Sequence, residues 1–235
     1  MSNINKTNQS IEEKTKYVME IYNKLENELD GNLFDNRNEE YSKSPDYHFL
    51  LNLCYGPWRE ERQMRVWDKV HKNFKKIGAI HKLTDEDIEK LGYPFRWQQN
   101  WIKKMVKYLD GKSFTQLIEE GNWWKLSGLE IRDKLKKITG AYTTKVISTF
   151  IRDYFKKDDI FAIDRRVRSM LNKLGLPNNE DLMVSLSKKA GINPAKFEIM
   201  LYNHYGKLCD DKKYDNCFLK EYCYCYIIKK ECCKL

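Results

Sequence analysis

Two residues of opposite charge, Lys145 and Asp164, lie nineteen positions apart near the middle of the chain. Each is expected at the start of a helix: Lys145 on a first turn, and Asp164 at an N-cap, where a carboxylate accepts backbone N–H groups. A lysine amine becomes a nucleophile once it has lost its proton, and a carboxylate stabilises positive charge that develops beside it. If the two helix starts face one cleft, these residues form a candidate catalytic pair.

The segment before Lys145 has the pattern of a helix followed by a tight turn. Ser127 and Glu130 form an S-x-x-E capping box, which predicts that a helix begins there. Its inner face is expected to comprise Ile131, Leu135 and Ile138. Gly140 follows and suits a turn that needs a positive φ angle.

Two further helices are predicted to carry Lys145 and Asp164. The first is capped by Thr143 or Thr144, and its apolar face comprises Val146, Ile147, Phe150, Ile151 and Tyr154. Lys145 lies just beside that face. The second begins after Asp164 and buries Val167, Met170, Leu171 and Leu174.

The remainder of the chain also shows helical spacing. Further helices are expected over 11–29, 46–54, 59–74, 84–91, 95–109, 113–120, 179–190 and 194–205, and no convincing alternating strand pattern is found. The sequence therefore predicts an all-α fold of about ten helices in two lobes. The expected division is a leader and helix in 1–30 that packs on the second lobe, a helical lobe in 46–160 and a second lobe in 161–235.

Two short runs resemble a known family. They are Ile138-Thr-Gly-Ala-Tyr-Thr-Thr-Lys145 and Ala162-Ile-Asp-Arg-Arg-Val167. They are similar to the L-P-G-x-G-x-K hairpin and the P-V-D-x-H-V-like run of the helix-hairpin-helix (HhH-GPD) DNA glycosylases, the endonuclease III superfamily. The resemblance extends weakly from residue 46 to Cys223, and only Gly140 remains of the two hairpin glycines. Alignment on that glycine would instead place Thr144 at the family's lysine position.

The resemblance implies an enzyme of DNA base excision repair that cleaves the N-glycosidic bond of a damaged or mispaired base. Lys145 would attack the sugar C1′ and form a Schiff base, which gives AP-lyase activity, and Asp164 would stabilise positive charge on the sugar. The hairpin would bind DNA phosphate through Lys137, Thr139, Gly140, Ala141, Tyr142, Thr143 and Thr144. The excised base stays open among oxidised purines, oxidised pyrimidines and mismatched bases.

The cysteines near the end also resemble this superfamily, several members of which hold a [4Fe–4S] cluster with C-x6-C-x2-C-x5-C. Cys209, Cys217 and Cys223 match three positions, and Tyr214 stands where a further cysteine would fall. A fourth thiolate would come from Cys225, or else from Cys232 or Cys233. Zinc on the same thiolates and a loop without metal are the alternatives.

Composition agrees with a polyanionic partner. The formal net charge is +9 and the pI is near 9.0, which favours double-stranded DNA as the partner. We expect the protein to be a monomer. No apolar run approaches the roughly 20 residues of a membrane helix, and the polar start MSNINKTNQS lacks a signal-peptide pattern. We therefore expect a cytoplasmic, nucleoid-associated protein of bacterial or archaeal type, whose seven cysteines are thiols or metal ligands.

Simpler interpretations of the same residues remain. Gly140 would suit an ordinary turn between two packed helices, and Asp164 would suit an ordinary helix cap. Lys145 could be a solvated lysine or could contact a phosphate. Two further functions follow from them. One is a monofunctional glycosylase in which Asp164 activates water. The other is a non-catalytic DNA-binding protein with a structural metal.

Overall fold

The computed structural model describes residues 10–28, 44–54, 60–141, 145–205, 209 and 217–223. Within these ranges the chain forms α-helices and short 3-10 turns and no strand, so the all-α prediction is confirmed. In chain order the helices are α1 (Ile11–Glu28), α2 (Pro45–Leu53), α3 (Glu60–Phe74), α4 (Asp85–Lys90), α5 (Arg96–Leu109), α6 (Phe114–Glu120), α7 (Gly128–Thr139), α8 (Lys145–Phe155), α9 (Arg165–Leu174), α10 (Glu180–Lys189) and α11 (Pro194–His204). Two 3-10 helices, Ile80–Lys82 and Trp123–Lys125, were not predicted.

One compact unit spans Asn36–Lys157. In it α8 packs against both α2 and α7, and α7 packs against α5. The core is aromatic: the ring of Phe150 on α8 contacts Phe49 at 5.7 Å and Phe114 at 5.8 Å between centroids. All three rings are fully buried, and each such burial stabilises the unit by roughly 2–3 kcal/mol. The helix that begins with Lys145 is therefore fixed from two sides.

The other compact unit combines Met1–Asp35 with Asp158–Leu235. Here α1 packs on α10 and α11, and α11 packs on α9. The four helices share an apolar core that includes Ile21, Phe161, Leu171, Phe197 and Met200. The predicted lobes, 46–160 and 161–235 with the helix of 1–30, divide the chain close to the boundary at Lys157 and Asp158.

The helix boundaries follow local signals. Thr84 and Ser113 form capping boxes that begin α4 and α6, and Pro194 lies in the first turn of α11. No helix in the described part of the chain is long and apolar enough to cross a membrane. The cap expected at Thr143 or Thr144 lies outside the described residues.

Candidate functional site

The candidate hairpin begins with the predicted capping box. Ser127 Oγ accepts the backbone N–H of Glu130 at 3.2 Å, and Glu130 Oε2 accepts the backbone N–H of Ser127 at 2.7 Å. The helix α7 then ends at Gly140, which has φ 65° and ψ 27° in the left-handed region. Both predictions are confirmed. Glycine suits this position because a Cβ atom there would strain the backbone.

In the described part of the turn after α7, the polar groups form hydrogen bonds with one another and with the last turn of the helix. The Gly140 N–H donates to the carbonyl of Lys136 at 2.8 Å, and the Ala141 N–H donates to the Thr139 hydroxyl at 3.3 Å. The Thr139 hydroxyl donates in turn to the carbonyl of Leu135 at 2.8 Å, and its side chain is fully buried. These groups are therefore not outward phosphate donors in this arrangement. Such donors would have to come from the first N–H groups of α8, or from Tyr142, Thr143 and Thr144, which lie outside the described residues.

Three lysines lie near the turn. Lys136 and Lys137 belong to the last turn of α7, where Lys137 is exposed. The ammonium of Lys104, on α5, lies over Gly140, where the side chain of any larger residue would begin. Nothing in the sequence pattern indicates that Lys104 lies at the hairpin, because only the packing of α5 on α7 brings it there. A cation beside the C-terminal end of a helix also interacts favourably with the helix dipole.

Lys145 is the first residue of α8 and is half-buried. Its backbone carbonyl accepts the Thr149 hydroxyl at 2.8 Å. The adjacent residues Val146 and Ile147 are buried, so Lys145 lies at the edge of the apolar face, as the spacing predicts. Its place at the helix start is shown, whereas its nucleophilic role stays a prediction.

Asp164 is the N-cap of α9, as predicted. Its Oδ1 accepts the backbone N–H of Val167 at 2.8 Å, and the side chain is half-buried. The loop before it is held firmly, because Phe161 is buried and donates its backbone N–H to Glu180 Oε1 at 3.1 Å. Asp164 and Lys145 belong to different compact units, so the common cleft expected for them stays a prediction.

The side chains around Asp164 include a stacked arginine. Arg165 and Arg168 are exposed, whereas the Arg166 guanidinium lies 5.0 Å from the centre of the Tyr202 ring, on α11. This cation–π contact links α9 to α11. Arg165 and Arg168 are the members of this run that are open to solvent.

Most aromatic residues in the described part of the unit Asn36–Lys157 belong to its core. Tyr93, Trp101 and Trp123 are buried. Trp124 differs, because it is 51% exposed while its ring packs 5.5 Å from Tyr154 and 4.9 Å from Phe155.

Two buried polar residues on α2 were also missed. Asp46 Oδ1 accepts the backbone N–H of Ile80 at 2.7 Å, and burial raises the pKa of this carboxyl. His48 is 1% exposed and its ring lies 5.4 Å from Tyr154. Burial lowers the pKa of His48 below its ordinary value, although the charge of Asp153 opposes this change.

The described cysteines of the C-terminal segment have different neighbours. Cys217 Sγ lies 3.4 Å from His204 Nε2, and Cys209 Sγ lies 3.7 Å from Met170 Sδ. Burial raises the pKa of Cys217, and the neighbouring Cys223 thiol raises it further. Burial, and then the charge of Lys173, lowers the pKa of His204 to about 4.

A [4Fe–4S] cluster requires four ligands, usually thiolates, around one site. No three metal-ligating side chains gather in the described ranges, and Cys217 meets an imidazole there. This described geometry does not fit a four-thiolate cage. Cys225, the predicted fourth ligand, lies outside the described residues, so its role stays a prediction.

Comparison with known proteins does not assign a family. The chain matches no family profile, and it has no significant match among curated protein sequences.

Proposed function

We propose that this chain is a DNA glycosylase that cleaves the N-glycosidic bond of a damaged or mispaired base in duplex DNA, with associated AP-lyase activity. One observation carries the proposal: a helix ends in a left-handed glycine, the next helix starts at Lys145, and Asp164 caps the helix after that. This is the order and spacing by which the sequence resembles the helix-hairpin-helix glycosylases.

The surroundings of the hairpin support phosphate binding. A helix N-terminus attracts anions because its first N–H groups lack partners within the helix and its dipole is positive there. The start of α8 has these properties, and Lys104, Lys136 and Lys137 add positive charge beside the preceding turn. Contacts of this kind hold a protein on DNA without reading its sequence.

The chemistry assigned to the pair divides into two roles. The amine of Lys145, once deprotonated, attacks C1′ as the base leaves with the electrons of the glycosidic bond and takes up a proton. The C1′–O4′ bond of the sugar then breaks, a proton passes from the nitrogen to the ring oxygen, and an iminium ion remains between enzyme and sugar. Asp164 stabilises the positive charge that develops on the sugar as the glycosidic bond lengthens. In its capping role the carboxylate is already fixed by the Val167 N–H, so little reorganisation is needed during the reaction.

Borohydride trapping on an abasic-site duplex tests the lyase assignment. We expect wild type to form a covalent adduct and Lys145→Gln to form none, because the attacking amine is missing. Lys137→Gln is the matched control, since it removes a lysine from the same hairpin and should weaken DNA binding while trapping continues.

An adduct that persists in Lys145→Gln would contradict the nucleophile assignment and favour the alignment with Thr144 at that position. Excision without trapping in wild type would indicate the monofunctional alternative. Binding without excision across a panel of single-lesion duplexes would indicate the non-catalytic alternative. The same panel identifies the excised base.

A further inference from the structure

The exposed side of α5 forms one polar strip along the helix. Its exposed side chains follow one another at steps of three or four residues and therefore lie on a single face. They are Arg96, Asn100, Lys104, Lys107 and Tyr108, called here the α5 strip. The apolar side chains of the same helix, Trp101, Ile102 and Met105, are buried in the core. The strip thus consists of the part of α5 that the core does not use.

The charge of the α5 strip is positive and is not paired within the described residues. The helix contains no Asp or Glu. Beside the strip, the Lys103 ammonium lies 3.2 Å from an Asp85 carboxylate oxygen and 3.9 Å from one of Glu89, both on α4. The three cations of the strip, in contrast, form no ion pair with a described residue. One carboxylate, that of Asp110, lies at the C-terminal cap, so the net charge of this side of the helix stays positive.

The α5 strip is continuous with the candidate hairpin. The ammonium of Lys104, in the middle of the strip, lies over Gly140 because α5 packs on α7. Lys107 follows about one turn further along α5, and Arg96 precedes Lys104 by about two turns. All of these residues belong to the compact unit Asn36–Lys157. Their arrangement therefore does not depend on the other unit.

The side chains of the α5 strip suit a row of phosphates. Arg, Lys, Asn and Tyr all donate hydrogen bonds to DNA phosphate oxygens. Tyr108 is 54% exposed, and its hydroxyl has no hydrogen-bond partner among the described residues. A helix rises 1.5 Å per residue and one DNA strand carries a charge every 3.4 Å, so a strip about 18 Å long corresponds to about five phosphates. A membrane surface fits less well, because an amphipathic helix binds it through an exposed apolar face.

We propose that the α5 strip binds the sugar–phosphate backbone of duplex DNA beside the hairpin. Arg96 and Lys107 are phosphate contacts on either side of Lys104, and Tyr108 is an uncharged donor at one end. The inference deepens the proposed function and rests on it in one respect, that duplex DNA is the partner. It requires no chemistry of Lys145 or Asp164.

The salt dependence of the dissociation constant tests the strip, measured with the full-length protein and a duplex that contains one abasic site. Lys107→Gln should lower the magnitude of the slope of log affinity against log salt concentration by roughly 0.9, and Arg96→Gln should lower it by the same amount. Lys103→Gln is the matched control on the same helix, because its ammonium is already paired with carboxylates of α4. Its slope should equal that of the wild type.

Tyr108→Phe separates a hydrogen bond from a charge. The variant lacks the hydroxyl and keeps every cation, so it should bind the duplex about two- to tenfold more weakly with an unchanged slope. Wild-type affinity in this variant would overturn the contact assigned to Tyr108.

The strip and the glycosylase proposal can fail separately. A steep salt dependence in the wild type that stays the same in Arg96→Gln and Lys107→Gln would overturn the strip alone. Slopes that fall in these variants of a protein that excises no base would support the strip and overturn the enzyme assignment. Affinity for anionic lipid vesicles that falls in the same variants, while DNA affinity does not, would overturn DNA as the partner of the strip. A wild-type protein that binds no duplex would overturn both proposals.

Discussion

Asp164 caps α9 and, in our proposal, also stabilises charge on the sugar, and one substitution separates these roles. Asn caps helices about as well as Asp, so Asp164→Asn should fold with nearly unchanged stability. It should lose about 10²-fold or more in single-turnover excision, because the amide carries no negative charge.

The matched control for this prediction is Asn193→Ala, which removes the side chain that accepts the Lys196 N–H at the start of α11. It should cost about 1 kcal/mol of stability and leave excision unchanged. If Asp164→Asn excised the base within a few-fold of the wild-type rate, Asp164 would be a cap alone.

The lowered pKa of His48 predicts how the free energy of unfolding changes in acid. Because burial lowers its pKa below the ordinary 6.5, the unfolded chain binds a proton at a higher pH than the folded chain does. Stability is therefore retained above pH 6.5 and lost as the pH falls toward the folded-state pKa. Lys156 acts in the same direction as burial, and Asp153 opposes it.

Urea unfolding at pH 7 and pH 5 measures this effect. The wild type should lose more free energy of unfolding over that interval than His48→Gln, because the variant has no group to protonate. Other titrating groups are common to both proteins and cancel in the difference. Equal losses would show that His48 is not the group responsible.

At the scale of helices, the glycine that ends α7 can be compared with the glycine that follows α10. Gly140 and Gly191 have nearly the same positive φ, 65° and 70°. The atoms nearest to a Cβ on Gly140 would belong to the flexible end of the Lys104 side chain, and a Cβ on Gly191 would meet nothing within 4 Å. Alanine should therefore destabilise either position by about 1 kcal/mol through the backbone alone.

DNA binding distinguishes these two substitutions. Gly140→Ala should weaken binding of an abasic-site duplex, because it disturbs the turn before α8 and displaces Lys104. Gly191→Ala lies after α10 and should bind normally at equal stability. Equal affinities of the two variants would remove the hairpin from the DNA interface.

For the whole molecule, the net charge of +9 predicts that phosphate contacts dominate DNA binding. Each neutralised phosphate contributes roughly 0.9 to the slope of log affinity against log salt concentration. Lys137→Gln should lower the magnitude of that slope by roughly 0.9, the contribution of one phosphate contact. Lys90→Gln removes a lysine that pairs with Glu86 on α4 and should leave the slope unchanged. Wild-type affinity that does not depend on salt would contradict nucleic-acid binding.

The sequence by itself determined the features that depend on near neighbours. The Ser127 box, the Gly140 turn and the Asp164 cap were predicted because each is set by hydrogen bonds within about four residues. Helical spacing likewise predicted the buried faces of α7 and α9 and most of that of α8, where Phe155 is buried and the predicted Tyr154 is only half-buried, and with them the all-α fold.

Only the tertiary structure decided which side chains meet across helices. Lys104 lies over Gly140 because α5 packs on α7, and Cys217 meets His204 although thirteen positions separate them. Asp46 accepts the Ile80 N–H from a distant segment of the chain. Such partners depend on how helices pack in three dimensions, whereas periodicity fixes only the face on which each residue lies.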